Sequence, residues 1–112
     1  MVKRNSVRQL DSIFHALSDP TRRSILRDLA TAEKTVGEIA KPHPVSLAAV
    51  SKHLKVLEAA ELIARERRGN FQIVRLRPAN LRPADEWLAY YDKFWSRQLD
   101  ALQTYMEGDD DE

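Results

Sequence analysis

Apolar positions recur at helical spacing along the first sixty residues and again near the carboxyl end, with two alternating runs between. Leu10, Ile13, Phe14 and Leu17 mark one face of a first helix that stops before Ser18-Asp19-Pro20. Asp19 as cap and Pro20 at the first helical position start a second helix, whose inner side is Ile25, Leu26 and Leu29. Thr35 caps a short third helix and Glu38 completes a capping box, with Val36, Ile39 and Ala40 facing inward. Pro42-His43-Pro44 ends that helix.

A fourth helix opens at Ser46, and Leu47, Val50, Leu54 and Leu57 recur at the spacing of a buried stripe. At about 100° per residue, Ala48, Ala49, Lys52, Lys55 and Ala59 point the other way, with Ser51 on one flank. Residues 62–67 and 71–77 are extended runs separated by Arg68-Gly69-Asn70, a hairpin signal. From residue 83 to about residue 106 one helical segment carries Trp87, Leu88, Tyr91, Phe94, Trp95, Leu99, Leu102, Tyr105 and Met106. The predicted fold is therefore mainly α with a small β-hairpin, in the order α-α-α-α-β-β-α.

The pair of helices at residues 35–60 forms a helix-turn-helix pattern, and the hairpin that follows makes it a winged helix-turn-helix. The outward face of the second of these helices is small and basic. Alanines let a backbone approach base edges, and lysines with a capped amino terminus suit phosphates, so the face fits a DNA major groove. Lysines on the wet side of an amphipathic helix are also common without any such role. The hairpin carries Arg65, Arg67, Arg68, Arg75 and Arg77, with Arg67 and Arg68 nearest its tip. There they are candidates for backbone phosphate contact, although arginines on an exposed sheet edge also discourage aggregation.

Charge sharpens this picture. The formal net charge is only +1, yet five of the 17 acidic residues lie in the last six positions, so residues 1–106 carry 18 basic against 12 acidic groups. A body at +6 attracts polyanions in a salt-dependent way. The expected organisation is one winged-helix DNA-binding domain over residues 1–106 and a disordered acidic tail over 107–112.

The last helix is wider in its apolar surface than a small monomer needs. Leu10, Phe14, Trp87, Leu88, Tyr91, Trp95, Leu99 and Leu102 are the candidate dimer interface, formed by the first and last helices of two copies about a two-fold axis. The alternative is that the last helix folds back over its own domain.

Other chemistry is thinly represented. There is no cysteine, hence no disulfide, thiolate metal site or cysteine nucleophile. No glycine-rich phosphate loop, G-x-S-x-G or H-E-x-x-H motif occurs, so no enzyme is expected. His15 and His43 are expected at the surface, while His53 borders the buried stripe, where a hydrogen bond to phosphate or base competes with a packing role. No run approaches the apolar length of a membrane span and the amino terminus lacks a signal-type apolar stretch, so a cytoplasmic location and no membrane partner are expected.

The segments ALSDPTRRSILRDL, TVGEIA and VSLAAVSKHLKVLEAAELI, with a hairpin ending in IVRL, resemble the ArsR family of bacterial winged-helix repressors from about Phe14 to Tyr105. The late aromatic segment from Trp87 to Leu102 is similar to a branch whose members lack metal ligands. The resemblance implies a homodimeric repressor that recognises an inverted-repeat operator in double-stranded DNA and releases it on a signal the sequence does not name. Carried over by position, it puts Ser46, Ala48, Ala49, Ser51, Lys52, His53 and Lys55 on the recognition helix and Arg67, Arg68, Gly69 and Asn70 on the wing.

Two positions depart from the family pattern. Glu61 stands where a helix-ending glycine is usual, and Asn70 where an arginine is common. The ligands of the metal-sensing branches have no counterparts here, so no metal or other cofactor is expected. A winged-helix protein-interaction module without DNA binding is the rival; it would place apolar or acidic residues at positions 52 and 55.

Overall fold

Local capping signals set the element boundaries. A computed structural model describes residues 2–110, with side chains over 7–108. Helix α1 spans Val2–Leu17 and α2 spans Pro20–Thr31, where Asp19 Oδ2 accepts from the Arg22 backbone amide at 3.0 Å. That backbone amide, first among the causes, holds the Asp19 carboxyl below its ordinary range. Strand β1 is the pair Lys34–Thr35, and α3 is Val36–Ala40. Thr35 and Glu38 form the predicted capping box, with bonds of 3.1 Å and 2.9 Å. Helix α4 spans Leu47–Ala59, capped by Ser46 Oγ accepting from the Ala49 amide at 3.1 Å.

Strands β2 (Ile63–Arg68) and β3 (Phe71–Leu76) form the hairpin, followed by a 3-10 turn at Pro78–Leu81 and helix α5 at Arg82–Asp110. Gly69 has φ +61°, the reason a glycine is needed in the two-residue turn. A Cβ there would meet nothing within 4 Å, so the requirement is conformational.

The sheet has three strands, ordered β1-β3-β2 and antiparallel throughout. β1 was not foreseen, because two residues carry no period; its pairing of Lys34 with Val74 and Thr35 with Ile73 comes from tertiary contact. Its consequence is mechanical. Thr35 is both a strand residue bonded to the hairpin and the cap of α3, so the wing is tied to the first helix of the helix-turn-helix.

Ile13 and Ala16 from α1, Ile25 and Leu29 from α2, Ile39 from α3, and Val50, Leu54 and Leu57 from α4 bury one shared core, closed by Leu62, Ile63 and Val74 from the hairpin. Leu47 does not join them. It is 62% exposed, because position 47 is the first residue of α4 and lies beyond the edge of the core that its i+3 neighbour reaches.

Helix α4 ends on a left-handed residue that is not glycine. Glu61 has φ +60°, its amide donates to Glu58 O at 2.9 Å, and the Leu62 amide donates to Leu57 O at 3.0 Å. This is a Schellman ending with Leu62 packed in the core, and Asn80 Nδ2 holds the Glu61 carbonyl at 2.7 Å. An L-residue in that conformation costs about 1–2 kcal/mol, partly offset in any glycine variant by unfolded-chain entropy. Glu61→Gly should therefore stabilise the fold by about 1 kcal/mol, read as a rise of roughly 4 °C in the thermal midpoint.

Helix α5 leaves the body. It packs on α1 and on the 3-10 turn, and the molecule measures 68 × 40 × 21 Å with a radius of gyration of 19.1 Å. A compact chain of this length has about 13 Å. The helix continues to Asp110, through residues 107–110 where a disordered tail was expected; residues 111 and 112 lie outside the described part. Extending an existing helix is cheap compared with starting one, and Gln103 Nε2 donates to Glu107 Oε1 at 3.1 Å one turn on.

Candidate nucleic-acid interface

Helix α4 separates its two sides sharply. Val50, Leu54 and Leu57 are fully buried on one side, while Ala48, Lys52 and Lys55 are exposed on the other and Ala49 and Ser51 are half-buried at its margins; Leu47, on the buried side's line, is exposed past the end of the core. Among the described residues neither lysine pairs with a carboxylate within 4.0 Å, whereas Arg65 and Arg68 of the wing do. The two ammonium charges are thus directed at solvent, without neutralisation by any described carboxylate.

His53 belongs to the other side. Its ring is one-fifth exposed, and Nδ1 lies 3.2 Å from the Arg22 guanidinium and 3.9 Å from Asp19 Oδ2. Arginine only donates, so Nδ1 accepts and the neutral ring keeps its proton on Nε2. Arg22 is itself buried, and its other nitrogens donate to Ala16 O at 2.8 Å and His15 O at 2.9 Å. One guanidinium therefore closes the carboxyl end of α1, sits in the first turn of α2 and braces α4 from behind. Nothing in the local pattern around Arg22 marks it for burial; the signal is three partners that only the fold brings together.

His43, expected at the surface, is instead tucked beneath α2. Its side chain is 10% exposed, with Nε2 4.0 Å from Asp28 Oδ2, because the proline turn folds back after α3. His15 is exposed, as anticipated.

The wing has two faces. Strand register puts Arg65 beside Val74 and Arg67 beside Gln72 on the face that also holds Ile63, and Arg65 Nε approaches Glu58 Oε1 of α4 at 3.6 Å. Arg67 lies on this α4 side nearer the tip, its Nε donating to Gly69 O at 3.2 Å. Arg68 lies on the opposite face with Phe71. Its guanidinium is held by Glu33 at 2.6 Å and Glu66 at 3.0 Å, and this hydrogen bond to Arg68 keeps the Glu66 carboxyl below its ordinary range. Arg68 thus clamps the wing to the segment preceding β1, while Gly69 and Asn70 form the exposed tip.

Leu10 and Phe14 on α1 are half-buried against the core, and Trp87, Leu88, Tyr91, Trp95, Leu99 and Leu102 on α5 are all exposed. Phe14 and Trp87 meet edge to face at 5.5 Å, and Trp87 meets Tyr91 at 4.8 Å, so the two helices share one aromatic surface. Tyr90 and Phe94 extend it.

Known proteins place this arrangement. A family model described as a helix-turn-helix domain matches residues 17–66. An HTH-type transcriptional regulator of Mycobacterium tuberculosis, Rv2034, is 39% identical over 95% of this chain and 98% of its own length. The transcriptional repressor SdpR of Bacillus subtilis is 37% identical over 70% of this chain and 88% of its own. The crystal structure of the ArsR family transcriptional regulator RHA00566 superposes with a TM-score of 0.72 at 34% identity, covering 80% of this chain and 92% of that one. The chain belongs to the ArsR family. As an ArsR-family protein it is a helix-turn-helix transcriptional regulator, and α3 and α4 are its helix-turn-helix. Among the described residues of this ArsR-family chain, no three His, Asp or Glu side chains group as metal ligands. No helix there is long and apolar enough to cross a membrane.

Proposed function

We propose that the chain binds an inverted-repeat operator in double-stranded DNA as a homodimer and represses transcription, of its own operon or a neighbouring one, in the cytoplasm. The observation that carries the DNA reading is the exposure of Lys52 and Lys55, unpaired with any described carboxylate, on a helix that buries Val50, Leu54 and Leu57 on its reverse side. Ser46, Ala48, Ala49 and Ser51 complete the surface toward the groove, and His53 acts from behind it through Arg22. The basic face speaks against the rival reading of a protein-docking module.

Arg67, with Gly69 and Asn70 beside it, is the wing's phosphate contact, and Arg68 is its clamp. In a dimer Arg67→Ala should flatten the dependence of log affinity on log salt by about 2, since each phosphate contact contributes about 0.9. Arg68→Ala should leave that slope within 1 of the parent. Equal slopes for both variants, measured by fluorescence anisotropy across a salt series, would contradict the assignment.

Self-association is supported by α5, which stands off the body with Trp95 67% and Leu99 59% exposed. A stable two-copy interface removes about 1,600 Å² from water, and the exposed aromatic face of α5 with Leu10 and Phe14 of α1 is the surface offered for it. Trp95→Glu should yield a monomer in sedimentation equilibrium, with operator affinity lowered at least tenfold because two half-sites no longer bind together. A mass unchanged from the parent dimer would sink the proposed interface.

A further inference from the structure

Leu47 has the periodicity of a core residue and the environment of a contact residue. It is the first residue of α4 and 62% exposed, while Val50, Leu54 and Leu57 behind it are completely buried. At 100° per residue it points within about 20° of Leu54, with Ser51 about 40° round the helix, and it is exposed because it lies one turn beyond the end of the core. The Ser46 cap fixes the backbone there, so the side chain's position is set by the helix and not by a wandering loop. Among the described residues of α4 it is the one large aliphatic group left in solvent.

It does not belong to the aromatic surface, because α5 packs on α1 and the 3-10 turn whereas α4 packs on α1, α2, α3 and β2. Ser46, Ala48 and Ser51 near it on the helix are small, and the same helix carries the exposed Lys52 and Lys55, a setting that favours a polyanion. Residues at the amino end of a helix seated in the major groove meet base edges. The apolar group presented there is the C5-methyl of thymine.

We propose that Leu47 is a specificity-determining residue that reads thymine in each half-site by packing against its methyl group. This rests on the DNA-binding reading above and adds a base to it. Removing one methyl from a good apolar contact should cost about fourfold in affinity.

The test uses a duplex recovered from a random library by the parent protein, remade with each thymine in turn replaced by uracil. The parent should lose about fourfold at one thymine per half-site and little elsewhere. Leu47→Ala should bind the thymine and uracil forms of that position equally, and so should Leu47→Gln, which retains length and helix propensity. A uracil penalty that persists unchanged in both variants, or a parent with no penalised thymine, overturns the assignment while leaving sequence-specific binding intact. A library that yields no preferred sequence overturns the DNA-reading function and this assignment together.

Discussion

Lys52→Ala combined with Lys55→Ala should weaken operator binding on the order of a hundredfold at physiological salt, and should reduce the salt slope of a dimer by about 3–4. Four ammonium groups are lost from the assembly, two from each copy. Both side chains are exposed and neither pairs with a described carboxylate, so their removal leaves no orphaned acid and no cavity. Alanine is also the best helix former, so α4 should persist and the thermal midpoint should stay within a few degrees. Lost affinity with an unchanged slope would mean that the lysines do not face phosphates.

Arg22→Leu should cost about 3 kcal/mol of folding stability, through orphaned polar groups more than through lost charge. The replacement leaves the His15 and Ala16 carbonyls and His53 Nδ1 without the donors they now have at 2.9, 2.8 and 3.2 Å. Arg22→Lys should recover only part of the loss, since one ammonium cannot span three acceptors held in a planar fork. Urea titration should show a lower midpoint at constant m-value. A midpoint within error of the parent would show that water replaces Arg22 at no cost, and that α4 is not braced by it.

The three caps at Asp19, Thr35 with Glu38, and Ser46 were legible in the sequence because each signal lies within three residues of its partner. The outward lysines followed from period alone. What escaped depends on distant pairing. Arg22 meets His53 across 31 positions and Arg68 meets Glu33 across 35, so neither guanidinium could be told from a solvated one in the linear chain. Strand β1 is too short to have a pattern, and it exists because Ile73 and Val74 offer an edge. Leu47 was misplaced for the opposite reason: periodicity continues past the end of the core, and only the packed body shows where burial stops. Glu61 stands where a helix-ending glycine is usual, which leaves open a left-handed residue or another ending, and its φ of +60° shows that the left-handed ending is kept without glycine.

Analytical ultracentrifugation of the purified protein with fluorescent duplexes, one from the promoter in front of its own gene and one of shuffled sequence, bears on all of this at once. At physiological ionic strength two copies should sediment with each promoter duplex, at an affinity at least a thousandfold above that for the shuffled one. A single copy per duplex, or equal affinity for both sequences, would contradict the reading of a dimeric, sequence-specific regulator.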